Sequence, residues 1–258
     1  MGIISPCIKE NILLNLDYVQ AHPNLFAQRQ EKIIAELETL GDIYSFWIEH
    51  PELRTAIPYG TKSPETIKKQ AMKGIAAIKN AWYFLIRHSP SVEGLTPSLL
   101  KGINALVNQQ RARDGRFRQE RQFSSGDVTL NADGYIPPKA RNIPSLIDGV
   151  LRDFQSQYSI DPIEAAIGAH LAIAAIQPFD EGNKRTARIV QDWALDTKGI
   201  PPAKIHMGES HLYRSLLLDT LVPYRDKDLA GQRRFYDFVA SKVNDALEDI
   251  IGPTGPGS

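Results

Sequence analysis

Apolar residues recur along this chain at helical spacing, and the densest run lies past its middle. From Pro162 to Ile176 the sequence is mostly Ala, Ile and Leu with almost no charge, which predicts a helix buried on most of its circumference. Pro178 and Gly182 are the breakers that end it. Periodicity resumes from Arg185 to Ala194, where Ile189 and Trp193 stand four residues apart on one side. The centre of the chain therefore reads as helix, tight loop, helix.

The flanking sequence predicts further helices. Phe26 to Leu40 is amphipathic, with Ile33, Ile34, Leu37 and Leu40 on its apolar side, and Asp42 to Glu49 forms a second helix ending at His50-Pro51. The aromatic residues of that second helix, Tyr44, Phe46 and Trp47, suit either a core or a partner-binding surface. Ser63-Pro64-Glu65 gives a cap with proline in the first turn and opens a long helix through Arg87; Thr96-Pro97 does the same for Leu95 to Asn108. Ser210 to Leu221 and Gly231 to Ile250 are two more amphipathic helices. Earlier in the chain, 115-154 is a poor helix. Short runs at Phe123 and Val128 to Leu130, separated by Ser124, Ser125, Gly126 and Asp127, predict a β-hairpin that Pro137 and Pro138 terminate. The last residues, 251-258, contain two Gly-Pro steps and are expected to be disordered. There is no internal repeat.

Composition narrows the function classes. The 258 residues carry 30 basic and 30 acidic side chains, so no charge imbalance recruits nucleic acid or an acidic membrane surface. The start of the chain reads as neither a cleavable signal nor a membrane span. One cysteine, Cys7, cannot form an intrachain disulfide and suits a reducing, cytoplasmic setting. No His/Cys/Asp cluster has the spacing of a zinc hydrolase.

Candidate chemistry concentrates in the loop. A helix N-terminus presents backbone N–H groups and partial positive charge, yet Lys184, Arg185 and Arg188 add cations there. An anion relieves that conflict, with Gly182 allowing close approach and Asn183 bracing the turn. Asp180 and Glu181 precede the helix, and a carboxylate beside phosphates is suited to Mg²⁺. The alternative is a solvated helix start with a basic first turn.

Positions 177-188, QPFDEGNKRTAR, resemble the signature loop of the Fic family (Fic/Doc, or Fido, fold), written H-x-F-x-(D/E)-(G/A)-N-(G/K)-R-x-x-R. Phe179, Glu181, Gly182, Asn183, Lys184, Arg185 and Arg188 match, and Lys184 resembles the Doc branch. Gly115-Arg116-Phe117-Arg118 and Tyr135-Ile136-Pro137-Pro138 resemble the family's flap, and the resemblance extends over about 90-240. It implies a mainly α Fic/Doc (Fido) fold with a short β-hairpin flap, divided into an N-terminal helical region (1-88) and a Fic-like domain (89-250).

The resemblance also implies roles. ATP or another nucleotide binds at Gly182, Asn183, Lys184, Arg185 and Arg188, Glu181 holds Mg²⁺, and Phe179 anchors the loop. A protein substrate or partner docks on the flap, where Tyr135 and Ile136 lie, and offers a Ser, Thr or Tyr hydroxyl for transfer of AMP or, Doc-like, of phosphate. Ser89 to Gly94 fits the loose pattern (S/T)-x-x-x-E-(G/N), which resembles an inhibitory motif whose glutamate, here Glu93, would reach Arg188. One position departs from the signature: Gln177 stands where the catalytic histidine is expected. An amide has no titratable group near neutral pH, so it can position a hydroxyl without acting as base. His170, two helical turns earlier, is about 10 Å away along a helix and reads as a core residue. His206 and His211 could approach only through the tertiary fold. Three readings follow: a weak transferase, a pseudoenzyme that binds nucleotide or phosphate and a protein partner, or a competent enzyme in which Gln177 replaces histidine.

Overall fold

A computed structural model describes residues 2–23, 27, 64–108, 115–119 and 135–254. Its α-helices are α1 (Pro6–Ala21), α2 (Pro64–His88), α3 (Pro97–Val107), α4 (Ile143–Tyr158), α5 (Pro162–Ile176), α6 (Asn183–Asp196), α7 (Ser210–Arg225) and α8 (Leu229–Ile251). The helices expected over 26–40 and 42–49 fall outside the described residues, apart from Ala27.

The central helix is α5. Asp161 caps it by accepting a hydrogen bond from the Glu164 N–H at 3.0 Å, and Pro162 occupies its first turn. Twelve of its 15 residues are buried, so it has no solvent face. It lies among α4, α6, α7 and α8, and each large apolar side chain it buries contributes about 1.5–3 kcal/mol. On the other side of α6 sit α2 and α3. Trp193 of α6 fills that interface and donates its indole N–H to the Ser89 carbonyl at 3.2 Å. In α3, Thr96 accepts from the Leu99 N–H at 3.3 Å, as the cap pattern requires.

Two helices, α1 and α4, are absent from the sequence-based expectation. Both have proline at the start, Pro6 and Pro144, where its missing N–H costs nothing. α1 packs against α8, and Ile4, Ile12 and Val19 join the same apolar core as α5. α8 continues through buried Ile251 and is followed by a 3₁₀ turn over Gly252–Thr254, while 255–258 lie outside the described residues.

The structure corrects the expected β-hairpin flap. Among the described residues there is no β-strand, and the fold is helical throughout. The flanks of the proposed hairpin, 115–119 and 135–139, are irregular, while 120–134 lies outside the described residues. Side chains and one backbone bond tie these flanks to the end of α5, in place of a strand ladder. The Arg118 N–H donates to the Pro178 carbonyl at 2.9 Å, and the Tyr135 hydroxyl donates to the Ala175 carbonyl at 2.7 Å. Pro137 and Pro138 have no N–H to give to a ladder. No helix among the described residues is long and apolar enough to cross a membrane.

Candidate functional site

The site is built where α5 turns into α6. Pro178 prevents α5 from continuing, and Gln177 takes the left-handed conformation at φ 50° and ψ 60°. For a residue with a Cβ this costs about 1–2 kcal/mol, so the surrounding bonds must hold it. They do so from every side. The Gln177 N–H donates to the Ile173 carbonyl at 3.2 Å, and its carbonyl accepts from Arg118 Nε at 2.7 Å. Its side-chain Nε2 donates back to the Ala174 carbonyl at 2.6 Å, while Oε1 accepts from Asn183 Nδ2 at 3.0 Å. Both polar atoms of the amide are thereby engaged, and only 7% of the residue is exposed.

Asn183 organises the loop from its other end. Its Oδ1 accepts from the Phe179 N–H at 2.9 Å and its Nδ2 donates to the Phe179 carbonyl at 2.9 Å. The Phe179 ring is consequently held in the core, 5.7 Å from the Phe117 ring. The Asn183 side chain is thus a brace of the turn.

Gly182 has φ 75°, and a Cβ there would lie 2.6 Å from Asn108 Oδ1 and 3.1 Å from Asn104 Nδ2. Its small size therefore serves packing against α3. Asn104 and Asn108 both donate to the Glu181 carbonyl, at 2.9 and 3.1 Å. Sequence reasoning missed this pair; the available signal was two asparagines four apart among the buried Leu100, Ile103 and Val107 of α3. We expect Gly182→Ala to cost about 2–5 kcal/mol, the sum of left-handed strain and overpacking, read as a lower urea midpoint at unchanged slope. A loss below 1 kcal/mol would mean that the turn relaxes freely.

The three expected cations separate. Arg185 is buried and reaches the C-terminus of α3, where NH1 donates to the Val107 carbonyl at 3.2 Å and NH2 to Asn108 Oδ1 at 3.1 Å. Arg188 is also buried, with its guanidinium carbon 5.5 Å from the centroid of the Tyr213 ring. Lys184 is half-buried, beside the exposed Asp180 and Glu181. The N-terminus of α6 has no side-chain cap. Its first turn, with Lys184 and the Glu181 carboxylate next to it, is the part of the loop that suits a metal-bound phosphate.

His170 is a core residue. It is fully buried between Gln191 Oε1, 2.7 Å from Nδ1, and the Tyr213 hydroxyl, 2.9 Å from Nε2. An amide oxygen can only accept, so Nδ1 carries the proton and Nε2 accepts from Tyr213. Burial pushes its pKa down to about 3. Between pH 6.5 and 3 the unfolded chain binds a proton there that the folded chain refuses, so this contribution to stability is lost as pH falls through that window. Asp192 opposes it: burial raises its pKa to about 6, so its contribution to stability falls as pH rises from 3.8 to 6. His170→Gln should therefore flatten the acid side of the stability curve, measured by urea unfolding from pH 4 to 7. An unchanged slope would exclude His170 as the acid-sensitive group. His206 and His211 are exposed on the far side of α6 in sequence.

The remaining expectations fall on the margins. Tyr135 is buried against α5 through its hydroxyl, whereas neighbouring Ile136 is 81% exposed. Glu93 sits in a 3₁₀ turn over Val92–Gly94. Its carboxyl is held below the ordinary range first by the Ser91 hydroxyl, then by a backbone bond, with Lys198 as a weaker cause. Lys198 lies beyond the C-terminal end of α6.

The Fic/DOC family model matches residues 94–195. The chain is 30% identical over 148 residues to "Protein adenylyltransferase fic-1" of Caenorhabditis elegans, covering 57% of this chain and 26% of that protein. It is 49% identical over 41 residues to "Uridine 5'-monophosphate transferase" of Xanthomonas campestris pv. campestris, covering 16% and 8%. The chain thus spans no more than 26% of the length of these curated relatives. Among solved structures, a Fic domain containing signaling protein from Bacteroides thetaiotaomicron superposes with a TM-score of 0.73 at 17% identity, over 94% of this chain and 97% of that one. At that identity the likeness concerns the fold.

Proposed function

We propose, from the premise that this chain belongs to the Fic/DOC family through residues 94–195, that it binds a nucleotide at the α6 N-terminus and transfers a nucleotidyl or phosphoryl group to a protein hydroxyl only weakly. The observation that carries this reading is the state of Gln177. Its Nε2 donates one N–H to Ala174 and its Oε1 accepts from Asn183, so position 177 supplies no base and its amide is held at both ends.

The uncapped first turn of α6 and Lys184 would take the phosphates. Glu181 would hold Mg²⁺, which would neutralise phosphate charge when bound. Among the described residues no group of three His, Cys, Asp or Glu side chains could hold a metal alone. That donor set fits a cation that takes its other ligands from phosphate and water.

In nucleotidyl transfer the target's hydroxyl oxygen bonds to the α-phosphorus, the bond to pyrophosphate breaks, and the hydroxyl proton needs an acceptor. In phosphoryl transfer the same oxygen bonds to the γ-phosphorus and the nucleoside diphosphate leaves. Lys184, of Doc type, favours the second course; the names of the two curated relatives favour the first. A protein target would dock along 115–138, beside Ile136. The described helices of the N-terminal region, α1 and α2, would serve this domain as a helical support.

The test uses ATP and UTP labelled separately at the α and γ positions. Incubated with the protein and a lysate, α-label on protein identifies nucleotidyl transfer and γ-label alone identifies phosphoryl transfer. Nucleotide binding with neither label would favour the pseudoenzyme reading, which the engaged amide of Gln177 also supports. Failure to bind any nucleotide would overturn both.

A further inference from the structure

Three consecutive carbonyls at the end of α5 are met by side chains from outside the signature loop. The Ala175 carbonyl accepts from the Tyr135 hydroxyl at 2.7 Å, and the Gln177 carbonyl accepts from Arg118 Nε at 2.7 Å. Arg118 NH2 bridges the Ile176 carbonyl, at 3.4 Å, to the Pro138 carbonyl. The backbone of Arg118 completes the clamp by donating to the Pro178 carbonyl at 2.9 Å. A single, 6% exposed arginine therefore touches residues 176, 177 and 178 and also 138.

This is an unusual use of a charged side chain. Burial lowers the Arg118 pKa, with Asp180 acting against that shift, and a guanidinium stays protonated throughout. Its planar fork suits neighbouring carbonyls, which a lysine's point charge cannot reach together. The carbonyls it takes belong to the last turn of α5, where helix geometry leaves them unpaired. Carbonyl oxygens at a helix C-terminus also carry partial negative charge, so a cation is favoured there. The strained φ of Gln177 lies between two of these bonds.

We propose that Arg118 is a positioning residue for position 177: it fixes the left-handed turn there and ties that turn mechanically to 138. Its role rests on the functional reading only in so far as position 177 is the reactive one. Movement of the 135–139 segment is then transmitted to position 177 through one side chain, without any contact of Arg118 with substrate.

The experiment needs no turnover for its first arm. Amide exchange at Gln177, followed by NMR, should quicken at least tenfold in Arg118→Ala and less in Arg118→Lys, while the Thr186 amide, bonded to the Gly182 carbonyl, keeps its rate. A purely structural role would quicken both amides alike and so overturn the proposal. Unchanged exchange at Gln177 in either folded variant would also overturn it. Should Arg118→Ala fail to fold, Arg118→Lys decides. The second arm places Arg118→Lys in a Gln177→His background. The expected result is a kcat reduced at least tenfold with KM for nucleotide within about twofold. Reduced affinity at constant kcat would overturn the positioning role. If Gln177→His transfers nothing while exchange at 177 still quickens locally, the functional reading fails and the clamp stands.

Discussion

Replacing Gln177 by histidine should raise protein-directed label transfer by about 10²-fold or more, the usual worth of a general base. The side chain enters a turn already built by Pro178, Arg118 and Asn183, where burial and the Arg118 cation favour the neutral imidazole, the form that accepts a proton. The gain corresponds to about 3 kcal/mol of barrier at 1.36 kcal/mol per tenfold. Two bonds are lost in exchange, those of the amide to Ala174 and Asn183. Asn183 keeps both of its bonds to Phe179, so the loop retains its brace. Transfer that stays at the wild-type level in a folded, nucleotide-binding variant would show that a missing base does not limit the reaction.

Arg185→Ala should lower stability by about 3–6 kcal/mol, because charged hydrogen bonds contribute about 1.5–3 kcal/mol each and two are lost. Against the 5–15 kcal/mol total typical of a domain, that is a large share, visible as a lower urea midpoint. The affected contacts are the Val107 carbonyl and Asn108 Oδ1 at the end of α3. Asn108 in turn holds the Glu181 carbonyl, so the change also loosens the carboxylate-bearing part of the loop. Arg185→Lys keeps the charge without the fork and should recover only part of the loss. An Arg185→Ala protein that unfolds at the wild-type midpoint but loses nucleotide affinity would instead make Arg185 a phosphate ligand, as the signature resemblance implies.

Arg185 also shows where sequence reading reached its limit. Its position in the helix was legible from Gly182 and the periodicity of Ile189 and Trp193. Its direction was not, because its partner Asn108 lies 77 residues away in sequence. The same holds for Gly182, whose freedom of φ was legible while the Asn108 side chain pressing on it was not. Gln177 was the clearest message, since a departure from a fixed pattern needs no tertiary information. Its left-handed backbone came from the tertiary bonds around it. Two helix starts went unread: Pro6 and Pro144 open α1 and α4 by the same signal that was legible at Pro64 and Pro97. Alternating short apolar runs suggested strands at 115–138, where the described flanks are instead fastened by Arg118 and Tyr135 to the end of α5.

In the proposed reading nucleotide binding belongs to the α6 N-terminus, separate from proton removal, for which an amide at position 177 offers no base. Calorimetric titration of the wild-type protein and Gln177→His with ATP, each with and without Mg²⁺, tests that separation directly. The expected result is Mg²⁺-dependent binding in both, with dissociation constants within about threefold of each other, because a general base acts in the transition state. Binding that is absent from the wild type and restored by histidine would contradict it, since position 177 would then be part of the nucleotide site itself.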